Sequence, residues 1–160
     1  MNNPVLFFEH KGLYRQGFAT SKEPDENYCL DFGKGKIVQE GSDLTIVTWG
    51  ALVQKSIEAS KNTDASIEVI DLRTLRPLDI ETIIKSVKKT NRLVSVEEGW
   101  MSSGIGAEII SLVTSKAFDY LDAPPERIAA LNVPLPYSSN LEKLCLPDKD
   151  NIFKLCMTLF

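Results

Sequence analysis

Residues 91–108 read NRLVSVEEGWMSSGIGAE. An apolar run, LVSV, leads into two adjacent carboxylates, Glu97 and Glu98; a turn with glycines at 99, 104 and 106 follows, then the start of an amphipathic helix. Strand, turn and helix in this order are how a parallel α/β sheet exposes its carboxyl edge, the side on which open α/β sheets seat ligands or partner subunits. The order decides the fold class, but by itself it names no reaction.

Toward the amino terminus the same alternation recurs. GKIVQEGSD reads as an edge strand running into a tight turn, and LTIVTW as an unbroken β-rich run of the kind buried on both faces of a parallel sheet. Gly50 closes it, ALVQKSIEAS carries apolar residues at helical spacing, and SIEVID is a further strand. Asp79 caps DIETIIKSVKKT, with Thr82 and Ile83 in its first turn. Toward the carboxyl terminus, IGAEIISLVTSKAFDYL is a helix, ERIAALNV a strand, VPLPYS a proline-marked turn, and SNLEKLCL and KDNIFKLCMTLF two short helices. Strands separated by helices imply right-handed crossovers. The predicted fold is therefore α/β: a three-layer helix-sheet-helix arrangement, mostly parallel, with GKIVQE as an antiparallel edge strand. PVLFFEH, near the start, reads as a short buried strand with no preceding element to pair with. Residues 11–35 carry glycines, a proline and mixed charges without sustained periodicity and read as a connector.

Composition narrows the function classes. The 160 residues carry a formal charge of −4, with 43% hydrophobic and 25% charged residues, which fits one ordinary globular domain able to bury a core without staples. Scattered Lys and Arg argue against nucleic acid, and no run of eighteen apolar residues argues for a membrane span. The start lacks the features of a signal peptide, so a soluble intracellular protein is expected. Cys29, Cys145 and Cys156 are odd in number and never spaced C-x-x-C, against a disulfide framework or zinc site and for a reducing compartment.

Few residues offer chemistry. Gly99, Gly104 and Gly106 fit neither G-x-G-x-x-G nor a Walker loop; they read instead as close packing of a helix start on the sheet, with backbone amides free to receive a carboxylate. Glu97 and Glu98 point to opposite sides of their strand, so they are not an acid–base couple, and one of them is expected to pair with Arg73 or Arg76 as a structural anchor. Asp71, Arg73 and Arg76 lie just past a strand end, where arginine forks suit subunit or domain contacts. With His10 the sole histidine and no G-x-S-x-G elbow, a histidine triad is excluded within this chain.

The segments EGSDLTIVTWG, EVIDLRTLRPLD, TNRLVSVEEGW with GIGAEI, FDYLDAP and VPLPYS, in this order, resemble the beta subunits of pyruvate dehydrogenase, in the thiamine-diphosphate-dependent 2-oxo acid dehydrogenase family. The likeness covers essentially the whole chain. It implies a transketolase C-terminal-type domain at 36–160, an interdomain connector at 11–35, the tail of a pyrimidine-binding domain at 1–10, and Met1 as an arbitrary start. It further implies that the intact enzyme uses thiamine diphosphate and magnesium to decarboxylate pyruvate and pass the acetyl unit to lipoyl groups, while this stretch holds no cofactor and is inactive alone. The implied partners are the alpha subunit, a second beta subunit and the subunit-binding domain of the dihydrolipoyl acyltransferase, which Asp122 and Phe160 match positions for docking. Phe160 replaces an aliphatic end found in some relatives, and Asp122 also reads as a turn residue before Ala123-Pro124. Asn3 matches a monovalent-cation position, although the aspartate expected two places earlier is Met1. Bacterial cytoplasm or mitochondrial matrix follows from the source. Acetoin and branched-chain 2-oxo acid enzymes, and a stand-alone interaction module of the same fold, remain open.

Overall fold

The computed structural model describes residue 4 and residues 6–160; Asn3 lies outside the described residues. Its sheet begins with β1 (Lys36–Gln39) and β2 (Leu44–Thr48), followed by helix α1 (Leu52–Ser60), β3 (Ile67–Asp71), α2 (Ile80–Thr90), β4 (Leu93–Trp100), α3 (Ile105–Ala117) and β5 (Glu126–Ala130). Helices α4 (Ser139–Cys145) and α5 (Lys149–Met157) finish the chain. The sheet order is β1-β3-β2-β4-β5, with β1 antiparallel to β3 and the other neighbours parallel, as the alternation predicts.

Strand periodicity explains the layers. Successive residues face opposite sides of a sheet, so a strand buried on both is mostly apolar. Every residue of β2 is buried. Leu44, Ile46, Ile67, Val69, Val94 and Val96 pack with Leu52 of α1 and with Ile152 and Cys156 of α5. Val47, Ile70, Leu72 and Leu93 pack on the other face with Ile83 and Val87 of α2 and Ile109 and Val113 of α3. Burial pushes the Cys156 thiol up to about 12, which leaves it a packing residue. Among the described residues no helix is long and apolar enough to cross a membrane.

Buried polar residues interrupt the apolar pattern of the central strands, and two of them, Glu68 and Glu97, are carboxylates. Glu68 of β3 is fully buried and accepts hydrogen bonds from Ser86 and Lys89 of α2, while Thr45 Oγ1 lies 2.6 Å from both Ser86 Oγ and Thr90 Oγ1. Burial raises the Glu68 carboxyl, but the Lys89 ammonium and Ser86 hydroxyl outweigh that and hold it below the usual carboxylate range.

Two expectations differ from the structure. The described residues of PVLFFEH form no strand: residues 6–10 carry no strand pairing, and Leu6, Phe7 and Phe8 are 80%, 78% and 89% exposed. An apolar run becomes a strand only where a sheet edge accepts its backbone groups, and among the described residues no edge does. The predicted helix from Ile105 to Leu121 is α-helical only to Ala117 and tightens into a 3₁₀ turn at Phe118–Tyr120, a common ending that satisfies terminal carbonyls.

Residues 11–35 hold two short 3₁₀ turns, Lys11–Leu13 and Gly17–Ala19, and their far end is fastened to the sheet. Gly33, at φ +75°, donates its amide to Thr74 Oγ1, and Gly35 donates to Asp79 Oδ2. Asp79 also caps α2, accepting from the Thr82 amide and hydroxyl. Burial pushes this carboxyl up, yet the bonds from Gly35 and Thr82 outweigh it and leave it below the ordinary aspartate value. A depressed folded value means that the ionised carboxylate stabilises the fold above the unfolded pKa of about 4, a contribution lost as pH falls through the folded value. Urea unfolding of Asp79→Ala should show a loss of about 1–2 kcal/mol at pH 7 and a smaller loss in acid, below about pH 4.

Candidate functional site

The chain leaves β2 toward β3 on one side and leaves β4 toward β5 on the other, although β2 and β4 are neighbours. The carboxyl ends of these two strands therefore flank the crevice where open α/β sheets receive ligands. Here a segment of the same chain enters it. His10 Nε2 lies 3.1 Å from Glu98 Oε2 of β4, and its ring stands beside Gly50, past the end of β2, close enough that a Cβ there would come within 3.5 Å of His10 Cδ2. Gly50 turns at φ +62°, a conformation that favours glycine.

On the opposite face of β4, Glu97 is almost wholly buried, 1% exposed, under the start of α3. Its Oε1 accepts from the Gly106 amide at 3.2 Å and from Arg127 Nη2 at 2.8 Å; the same nitrogen donates to the Met101 carbonyl at 2.7 Å. The N-cap position of α3 is Gly104, which has no side chain to cap with, so Glu97 supplies the negative charge that the positive end of the helix dipole favours. Close approach is what the glycines provide. A Cβ at Gly106 would stand 2.7 Å from both Glu97 Oε1 and Ser95 Oγ, and one at Gly104 would stand 2.6 Å from Glu97 Oε2 and from the Trp100 carbonyl.

The glutamates do lie on opposite sides of the strand, and the helix start does receive a carboxylate, but the expected arginine partners are wrong. Among the described residues neither Arg73 nor Arg76 reaches a carboxylate within ion-pair distance; both are exposed, and Arg73 at φ +58° donates its amide to Asp71 Oδ1 at 3.1 Å. Both follow β3, which β2 separates from β4, whereas Arg127 sits on the neighbouring strand β5, in register with Ser95 and hence diagonal to Glu97 on one face. Sequence adjacency does not reveal strand order. The signal for Arg127 was a guanidinium at the head of the apolar run IAAL, where burial requires a partner.

This edge does not fit thiamine diphosphate with a metal ion. Of the three helices that begin here, α2 and α3 already hold carboxylates of their own, Asp79 and Glu97, where a diphosphate would otherwise bind. Among the described residues no group of three or more His, Cys, Asp or Glu side chains could hold a metal ion. No chemical step is assigned to these residues.

The other end of the sheet gathers the remaining candidates. Arg92, just before β4, donates Nε to the Leu159 carbonyl at 2.8 Å and Nη1 to the Asp43 carbonyl at 3.4 Å. Its Nη2 lies 4.0 Å from Asp122 Oδ2, and its guanidinium carbon lies 5.0 Å from the centre of the Phe160 ring. Asp122 and Phe160, 38 positions apart in sequence, thus meet around one cation, and both remain more than half exposed, the Asp122 side chain at 59% and Phe160 at 54%. The Asp122 amide donates to the Asn91 carbonyl at 2.9 Å, fixing the turn that carries it. Asp43, in the same corner, is held below the usual aspartate range by the Ser66 amide and Ser42 hydroxyl. Arg92 was missed in the sequence because only tertiary packing brings the last two residues to it.

Arg127→Met leaves the Glu97 charge buried without a cation and should cost about 3–5 kcal/mol in urea unfolding. The double variant with Glu97→Gln should cost less than Arg127→Met alone; additive losses would mean that the pair is not coupled. Gly106→Ala should destabilise as well, because its methyl group collides with Glu97 and Ser95.

The sequence pattern of the family described as transketolase, C-terminal domain, matches residues 33–152. The mitochondrial pyruvate dehydrogenase E1 component subunit beta of Dictyostelium discoideum is 50% identical over 155 residues, covering 94% of this chain and 44% of that protein. The pyruvate dehydrogenase E1 component subunit beta of Rickettsia felis is 49% identical over 156 residues, covering 96% and 47%. The chain thus spans just under half the length of these relatives. A solved structure described as a split gene transketolase, inactive beta4 tetramer, superposes with a TM-score of 0.73 at 21% identity, covering 87% of this chain and 46% of that one, a likeness of fold. With a matched pattern over most of its length and the same mixed sheet, the chain belongs to the transketolase C-terminal domain family.

Proposed function

We propose that this chain works as the C-terminal assembly domain of a pyruvate dehydrogenase beta subunit. The observation that carries this reading is identity of 49–50% across at least 94% of the chain with two beta subunits of that enzyme. The geometry supports an assembly role: the crevice at the carboxyl edge is entered by His10, two helix starts there are taken by Asp79 and Glu97, and Asp122 stands exposed beside Arg92 at the opposite end. The intact enzyme would decarboxylate pyruvate with thiamine diphosphate and magnesium and acetylate lipoyl groups, the cofactor lying outside these residues. Its partners would be the alpha subunit, a second beta subunit and the subunit-binding domain of the dihydrolipoyl acyltransferase, the last contacting Asp122 and Phe160. Its compartment would be bacterial cytoplasm or mitochondrial matrix according to source.

Asp122 and Phe160 offer a carboxylate and an exposed apolar ring side by side, a combination that suits a basic module and fixes its register. Co-expression of the full beta subunit with the alpha subunit should give a co-eluting complex that decarboxylates pyruvate in preference to acetoin or branched-chain 2-oxo acids. Calorimetry on the 160 residues alone should detect no micromolar thiamine diphosphate binding; detection would place the cofactor site in this chain. In the assembled enzyme Asp122→Asn should weaken binding of the acyltransferase subunit-binding domain on the order of tenfold, with pyruvate decarboxylation unchanged.

A further inference from the structure

We propose that Arg92 is the positioning residue of the docking corner: its guanidinium holds Phe160 and Asp122 in the relative placement that a basic partner reads. This rests on the reading of Asp122 and Phe160 as docking contacts. Arg92 spans two pieces of chain that are remote in sequence: the Asp43 carbonyl, at 3.4 Å, and the last two residues, through the Leu159 carbonyl at 2.8 Å and the Phe160 ring at 5.0 Å from the guanidinium carbon. A guanidinium is suited to this because its rigid fork directs several N–H groups at once while its face stacks on an aromatic ring. Its contact with Asp122 is looser, 4.0 Å, and the Asp122 side chain stays 59% exposed, so the aspartate keeps oxygen surface for another cation.

Charge and position predict opposite outcomes here. As a bare positive charge, Arg92 opposes a basic partner, and its removal would tighten docking. As a clamp it orders the segment that follows α5 in advance, holding Phe160 beside the Asp122 turn and sparing the partner the entropy of ordering it, and its removal weakens docking. Lysine keeps the charge yet lacks the fork and the flat face.

The test uses the assembled enzyme carrying this chain, with the subunit-binding domain of the dihydrolipoyl acyltransferase as titrant and Arg92→Gln, Arg92→Lys and Asp122→Asn as variants. The expected result is that Arg92→Gln and Arg92→Lys both weaken docking on the order of tenfold, and that hydrogen–deuterium exchange at residues 158–160 rises before the partner is added. Tighter or unchanged binding by Arg92→Gln, with Asp122→Asn still weakened, overturns the positioning role and leaves the docking reading standing. Full retention by Arg92→Lys overturns it too, since charge alone would then suffice. No effect of Asp122→Asn overturns the docking reading and the proposal with it. A urea midpoint for Arg92→Lys equal to the parent's shows that its weaker docking is not a loss of folding.

Discussion

A carboxylate buried beneath the start of a helix sets the terms for the working edge of this sheet. Burying a carboxylate is costly without compensation, and the Gly106 amide, the α3 dipole and the Arg127 guanidinium all reach Glu97. Each requirement propagates. The amide reaches only if residues 104 and 106 lack side chains, and the guanidinium reaches only if β5 pairs with β4 in the observed register. Arg127 then holds the Met101 carbonyl, so the loop after β4 is fixed by the interaction that neutralises the carboxylate. The register of β4 against β5 shifts between Val96 and Trp100, in the same stretch where Glu97 turns inward.

The two ends of the sheet divide the labour. At the carboxyl end, internal groups occupy the places that many α/β proteins leave for ligands: His10 beside Glu98, Asp79 at α2 and Glu97 at α3. At the opposite end, the Asp43 carbonyl, Asp122 and Phe160 surround Arg92, and Asp122 and Phe160 keep more than half of their surface open. Asp79 and Glu97 are buried at the first end, whereas Asp122 at the second faces solvent, where charge contributes little to folding.

Glu68 shows how the central layer tolerates a second internal carboxylate. Lys89 approaches from the exposed side of α2, and the hydroxyls of Ser86, Thr45 and Thr90 extend the network inward. Such a network is favourable only when nearly every member is satisfied. The sequence gives it away only in part: a glutamate inside IEVID breaks an apolar run, but its lysine lies 21 positions later on a helix face that the strand alone does not identify.

Much of the fold was legible in advance because it rests on local periodicity. LTIVTW, SIEVID and LVSVEE are short β-rich runs, DIETIIKSVKKT carries its own cap, and the antiparallel edge strand stands apart from the alternation, so the sequence determined a mixed three-layer sheet and its element order. The glycines at 104 and 106 likewise announced a close approach of helix to sheet. What only the tertiary structure decided was partnership: Arg127 rather than Arg73 or Arg76 for Glu97, Arg92 for both Asp122 and Phe160, His10 for Glu98, and no strand for the described residues of PVLFFEH. Side-chain periodicity is a property of neighbouring residues, readable along one chain. Ion pairs and strand pairing depend on which segments the sheet order sets side by side, and that order emerges only in the folded chain.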